Sequence, residues 1–166
     1  MPEKMLEASL GEMLDARGLT ISTAESCTGG LVGHRLTNVP GSSEYYIGSI
    51  TAYAYHVKVR QLNVNWQTIE SHGAVSHETV AEMASGVRAA LETDIGIAVS
   101  GIAGPGGGSP GKPVGLVWLG LSTPAGDWTR DHNFTGDRIA VKDQAAEAAL
   151  QFVYDYLDGK LNGSSA

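Results

Sequence analysis

Leu6, Leu10, Met13 and Leu14 recur at helical spacing, which predicts an amphipathic helix ending near Gly18. Leu19 to Ala24 reads as a short strand, and Glu25 to Gly30 as a turn of small and capping residues that opens a helix over Leu31 to Thr37. Asn38-Val39-Pro40-Gly41 breaks that helix. Tyr46 to Tyr53 is β-branched and aromatic, a strand leading into a short helix near His56–Gln61. Ser76 is a good N-cap, with Val80, Met83, Ala84, Val87 and Leu91 as one apolar stripe behind it. Ile95 to Ser100 is a continuous apolar run of buried-strand length, followed by the glycine-rich stretch Gly101 to Gly111 and a strand from Val114 to Leu121. A polar turn at Pro124–Asp127 leads to a more polar strand, Trp128 to Phe134. Asp137 caps a long last helix whose buried face holds Val141, Ala145, Ala149, Phe152 and Tyr156.

The predicted order is helix, strand, helix, strand, helix, then three strands and a helix. That pattern predicts an α/β fold, a single three-layer α/β/α domain with a mixed central sheet, the late hairpin supplying the antiparallel part. The domain is expected over residues 1–160, with a frayed tail at 161–166.

Composition narrows the function. A chain of 166 residues buries roughly 70% of its unfolded surface and needs no staple. One cysteine, Cys27, allows no internal disulfide and fits a reducing compartment. The opening residues do not read as a signal peptide and no run of apolar residues is long enough to span a membrane, so a cytoplasmic location is expected. A net charge of −7 argues against nucleic-acid binding, which needs clustered Lys and Arg. A small anionic ligand stays open, held by backbone N–H groups and one or two cations. Nine of the 22 glycines gather at 29–33 and 101–111, where backbone must bend sharply or approach a ligand.

Four stretches could carry chemistry. Thr23 to Gly30 is either an anion-binding strand-to-helix turn or a capped, closely packed helix start. Gly101 to Pro113 matches G-x-G-x-x-G at positions 106 to 111, yet prolines and a strand follow where the dinucleotide fingerprint needs a helix. That leaves a binding loop or a surface connection. Cys27, at a helix start, is either a nucleophile or an inert buried thiol. Between Gly41 and Lys58, a strand and its flanking loops hold Ser43, Tyr53 and Lys58; a desolvated lysine is a usable base for a serine, though such spacings are common. The five histidines make no metal-binding spacing; His72 ends one helix and His77 sits in the first turn of the next, so no metal and no cofactor are expected.

Six blocks change this reading. Thr23-Ala-Glu-Ser-Cys-Thr-Gly-Gly30, Pro40-Gly-Ser-Ser43, His72-Gly-Ala-Val-Ser76, Ser100-Gly-Ile-Ala-Gly-Pro105, Lys112-Pro-Val-Gly115 and Phe134-Thr-Gly-Asp-Arg138 occur together and in order. From about residue 5 to 157 the chain resembles the CinA C-terminal domain family, whose stand-alone members are nicotinamide-nucleotide amidases. The resemblance implies hydrolysis of the carboxamide of nicotinamide mononucleotide to nicotinate mononucleotide and ammonia, a step of pyridine nucleotide salvage. It implies Ser43 as nucleophile, Lys58 as base and Tyr53 beside them. Substrate binding falls to Ser26, Cys27, Thr28, Gly29, Gly30, Ser100, Gly101 and Arg138; on chemical grounds the phosphate is expected on Arg138 and the helix start at Ser26–Gly30.

There are departures. Where the family usually reads Tyr-Ser-Asn, this chain has Tyr53-Ala54-Tyr55, and a second arginine often found after Gly-Asp-Arg is Lys142. The alternative is therefore a CinA-like nucleotide-binding or regulatory module with weak or no catalysis. The partner implied is a small nucleotide, with no nucleic acid and no membrane; a homo-oligomer is allowed.

Overall fold

The structure is a computed structural model that describes residues 3–161 and 163. The expected tail at 161–166 lies, apart from residues 161 and 163, outside the described residues. Eleven elements follow in chain order: α1 (Leu6–Arg17), β1 (Ile21–Glu25), α2 (Leu31–Thr37), β2 (Tyr46–Thr51), α3 (Tyr55–Leu62), α4 (Trp66–His72), α5 (His77–Ala90), β3 (Ile95–Gly101), β4 (Leu116–Thr123), β5 (Gly126–Asn133) and α6 (Arg138–Leu157). A one-turn 3₁₀ helix, Ser42–Glu44, precedes β2.

The strands form one mixed sheet in the order β2-β1-β3-β4-β5. β1 pairs in parallel with β2 and β3, whereas the β3–β4 and β4–β5 pairs are antiparallel. One face packs Ile21, Ile97 and Leu119 against Leu14 of α1, Leu36 of α2 and Phe152 of α6. The other packs Ala24 and Ala98 against Leu62, Ile69, Met83 and Val87 of α3, α4 and α5. Alternation along the strands assigns the sides: large residues face α1, α2 and α6, and small ones meet the closely packed α5. Gly120 marks that close approach, since a Cβ there would overlap the Val80 carbonyl.

The predicted caps hold. Ser76 Oγ accepts the Thr79 N–H and Asp137 Oδ1 accepts the Ala140 N–H, satisfying orphan donors of α5 and α6. Gly18 closes α1 in the left-handed region at φ 62°. The first strand sits slightly later than predicted and β2 ends two residues earlier. α4 is absent from the predicted element order: its seven residues bury only Ile69, too little apolar periodicity to show in sequence. As expected, His72 ends α4 and His77 opens α5. Among the described residues, no helix is long and apolar enough to cross a membrane.

Candidate active site

The parallel strands β1 and β3 end side by side, with Glu25 opposite Val99. Ser26 follows immediately, its N–H donated to the Val99 carbonyl at 2.9 Å. The chain leaving β2 hooks onto the same place, because the Ala52 N–H donates to the Glu25 carbonyl at 2.8 Å. α3 then begins at Tyr55 and turns Lys58 inward, leaving that residue 1% exposed. Lys58 Nζ lies 3.0 Å from Ser26 Oγ, 2.8 Å from the Ala52 carbonyl and 3.1 Å from the Tyr53 carbonyl. Burial pushes the Lys58 pKa down to about 8, because removing an ammonium from water favours the neutral amine. No carboxylate stands within ion-pair distance of it among the described residues.

Cys27 sits next door and lines the same cavity. Burial, reinforced by the Glu25 charge, pushes its thiol up to about 11. The helix-start argument for a reactive thiolate therefore fails: Cys27 stays protonated near neutral pH and is a poor nucleophile.

A cavity of about 360 Å³ opens above the Lys58–Ser26 pair. Its wall includes Cys27, Tyr53, Ser100, Gly101, Lys112 and Arg138. Ser100, 1% exposed, donates its hydroxyl to the Ala74 carbonyl at 2.8 Å and so fixes the α4–α5 connection against the end of β3. Arg138, the first residue of α6, donates to the Gly104 carbonyl at 2.7 Å and to the Tyr53 hydroxyl at 3.0 Å. The wall contains Lys58, Lys112 and Arg138 but no aspartate or glutamate, although the chain as a whole carries −7. Such a cavity attracts an anion.

The structure brings together Ser26, Cys27, Tyr53, Lys58, Ser100, Gly101 and Arg138. It does not bring Ser43 to them. Ser43 is exposed in the 3₁₀ turn before β2, whereas Lys58 follows β2. The parallel register, Ile21 with Tyr46 and Glu25 with Thr51, puts Ser43 at the sheet end opposite Ser26. A strand of that length separates the two by roughly 20 Å. The hydroxyl that Lys58 meets is Ser26, so the pairing of Lys58 with Ser43 is corrected to Lys58 with Ser26.

Thr28, Gly29 and Gly30 are likewise not part of the cavity wall. Thr28 Oγ1 donates to Glu25 Oε1 at 2.7 Å, and the glycines form a tight turn at φ 62° and 109°. The first N–H groups of α2 are occupied too: Val32 and Gly33 donate to the Glu25 carboxylate at 2.9 and 3.0 Å. A substrate phosphate finds no free helix terminus there, which overturns that part of the expected phosphate site. The G-x-G-x-x-G match at 106 to 111 leads through Pro113 into β4 rather than a helix, as the dinucleotide fingerprint forbids.

Sequence reasoning gave no role to Glu25 or Lys112, although both stand in the quoted blocks. A carboxylate three residues before Thr28 and just ahead of a helix is a capping signal; nothing local marks Lys112. Among the described residues, no three His, Cys, Asp or Glu side chains gather as a metal-ligand set.

Fold and site together define a three-layer α/β protein with a buried lysine–serine pair and a cationic cavity at the ends of its parallel strands. The chain belongs to the CinA C-terminal domain family, whose family model matches residues 3–157. A competence-damage inducible protein of Halothermothrix orenii is 51% identical over 156 residues, covering 93% of this chain and 38% of its own length. A CinA-like protein of Salinibacter ruber is 52% identical over 146 residues, covering 88% of this chain and 35% of its own length. The chain thus spans little more than a third of these relatives. Among solved structures, a CinA superfamily protein from Klebsiella pneumoniae superposes with a TM-score of 0.90 at 35% identity, covering 93% of this chain and 96% of that one. Another from Escherichia coli gives 0.88 at 32% identity, covering 91% and 88%.

Proposed function

We propose that the domain is an amidohydrolase that converts nicotinamide mononucleotide to nicotinate mononucleotide and ammonia, with Ser26 as nucleophile and Lys58 as its base. The observation that carries this is the Lys58 Nζ–Ser26 Oγ contact of 3.0 Å, made by an amine whose pKa burial lowers to about 8. A neutral amine at hydrogen-bond distance from a hydroxyl can accept its proton.

In the proposed sequence, Lys58 takes the Ser26 proton while Oγ attacks the carboxamide carbon. The carbonyl oxygen becomes an oxyanion, and the donors proposed for it are the N–H groups of Cys27 and Thr28, which enter no backbone hydrogen bond among the described residues. When the tetrahedral intermediate collapses, the C–N bond breaks and the Lys58 ammonium returns its proton to the departing nitrogen, giving ammonia. Water then attacks the acyl ester with Lys58 again as base, releasing the carboxylate and restoring Ser26. No metal is required, because each proton has a side chain to hold it.

Arg138 is the cation assigned to the substrate phosphate. Its two hydrogen bonds, to Gly104 and Tyr53, fix the guanidinium at the cavity wall. Tyr53 thus acts by placing Arg138, and its backbone carbonyl helps hold Lys58.

The test is ammonia release from nicotinamide mononucleotide by the wild type and by Ser26→Ala. Loss of the nucleophile is expected to lower kcat by about 10³-fold or more. Turnover surviving Ser26→Ala would discard Ser26 as nucleophile, and no ammonia from the wild type would discard the amidase reading.

A further inference from the structure

Three cations line the cavity, and two are already engaged. Lys58 is turned onto Ser26 and two carbonyls. Arg138 donates to Gly104 and Tyr53. Lys112 differs. Its ammonium, a donor of three hydrogen bonds, makes one among the described residues, to the His72 carbonyl at 2.5 Å. No carboxylate lies within ion-pair distance of it among the described residues.

The fold nevertheless holds this ammonium in place. Ser109 and Lys112 exchange backbone hydrogen bonds of 2.9 and 3.0 Å across Pro110-Gly111, with Gly111 at φ 80°. A proline followed by a positive-φ glycine is the signature of a tight type II turn. That turn fixes the Lys112 backbone within the long glycine-rich loop. On the facing side, Gly73 leaves the room the amine needs: its φ is 79°, and a Cβ there would stand 2.8 Å from Lys112 Nζ. A turn, a glycine gap and one carbonyl thus place a cation with spare donors at the cavity wall.

We propose that Lys112 is the residue that makes this site select a phosphorylated substrate, its ammonium taking a non-bridging oxygen of the phosphomonoester beside Arg138. The inference rests on the amidase reading for its substrate, but it concerns a different group of the ligand from the one Ser26 attacks. Arg138 orients the phosphate with a planar fork; Lys112 adds a point charge whose two spare N–H donors are open to the ligand.

The experiment compares nicotinamide mononucleotide with nicotinamide riboside, which lacks the phosphate, using the full chain as wild type, Lys112→Gln and Lys112→Arg. The glutamine variant keeps an N–H donor on a side chain one atom shorter and removes the charge, and the arginine variant restores the charge. For the nucleotide, kcat/KM is expected to fall about 10- to 100-fold, carried by KM with kcat within about twofold. For the riboside it is expected to change less than about twofold, and Lys112→Arg should recover most of the nucleotide selectivity. An equal fall on both substrates, or no fall on either, overturns the proposal. If the wild type hydrolyses neither compound, the amidase reading fails by itself. Calorimetric titration with nicotinate mononucleotide then decides for Lys112: an affinity loss of about tenfold or more in Lys112→Gln sustains the proposal, and unchanged affinity sinks it.

Discussion

Two buried charges flank Ser26 in the fold, and the chain handles them in opposite ways. Glu25 is 0% exposed, and its carboxylate accepts from Thr23 Oγ1, Thr28 Oγ1 and the N–H groups of Val32 and Gly33. Two of those donors belong to the start of α2, where the helix dipole also favours a negative charge. Lys58 is equally buried, and its ammonium has acceptors, but all are neutral: two carbonyls and a hydroxyl. Hydrogen bonds without a counter-charge do not repay the burial of an ammonium. Its proton is therefore weakly held. The lesson is that a buried charge wrapped in matching dipoles is architecture, whereas one left without a counter-charge is ready for proton transfer.

The comparison breaks if replacing Lys58 does not separate activity from stability. Lys58→Met should lower kcat for ammonia release by about 10³-fold or more, since among the described residues no other base bonds to Ser26 Oγ. The same variant should melt higher than the wild type below pH 8. A pKa of about 8 against the usual 10.5 makes the buried ammonium cost about 3 kcal/mol. The stranded Ala52 and Tyr53 carbonyls return about 2 of these, leaving a gain of about 1 kcal/mol. Between about pH 8 and 10.5 the unfolded chain binds a proton that the folded chain sheds, so wild-type stability rises with pH across that window. The variant has no such contribution, and its advantage should vanish by about pH 10. Thermal melts at pH 6.5 and pH 10 measure this; a variant less stable at pH 6.5 contradicts it.

The opposite outcome is expected at the other charge. Glu25→Gln keeps one acceptor oxygen but turns an amide donor toward a backbone N–H. The loss should be about 2 kcal/mol, roughly 4–8 °C in Tm for a chain of this size. A melt unchanged within 1–2 °C, about the effect of a trivial surface change, would show that the carboxylate does not hold the α2 start.

The pH–rate profile sharpens the contrast further. The proposed base, Lys58, can act only when neutral, so kcat/KM should fall about tenfold per pH unit below about 8. A profile flat from pH 6 to 9 would mean that Lys58 does not donate its lone pair to the reaction. A smaller effect lies at the start of α3. Ala54 has the extended geometry of an N-cap, φ −82° and ψ 153°, and no side-chain cap hydrogen bond. Ala54→Ser should add about 1 kcal/mol, seen as roughly 2–4 °C in Tm.

The caps at Ser76 and Asp137, the buried run from Ile95 and the helix Leu31–Thr37 were legible in sequence because each is decided by a few neighbouring residues. α4 was not, since Trp66 is half exposed and Ile69 alone is buried. The cavity was legible in part of its lining and not in its pairing: the resemblance supplied Tyr53, Lys58, Ser100 and Arg138, which converge on it, and also Ser43, Thr28, Gly29 and Gly30, which do not line it. Lys112 stayed silent because its environment is made by Gly73 and His72, some forty residues away in sequence, and no local pattern reports that contact. The helix start was legible as a turn but not as an occupied one; only the coordinates show Glu25 filling it.

The proposed nucleophile is where strand order decides over spacing. Ser43 and Ser26 are both hydroxyls in small-residue loops, but ligands of α/β sheets gather beyond the carboxyl ends of parallel strands. Ser26 follows β1 and Lys58 follows β2, while Ser43 precedes β2. That rule, applied to the predicted strands, selects Ser26 from the sequence. It also sets the smallest effect expected: Ser43→Ala should leave kcat and KM within about twofold and the melting temperature within about 1 °C, as for an exposed surface hydroxyl. A loss of 100-fold or more in Ser43→Ala, with Ser26→Ala active, would place the chemistry at the far end of the sheet, leaving the Lys58–Ser26 contact a purely structural one.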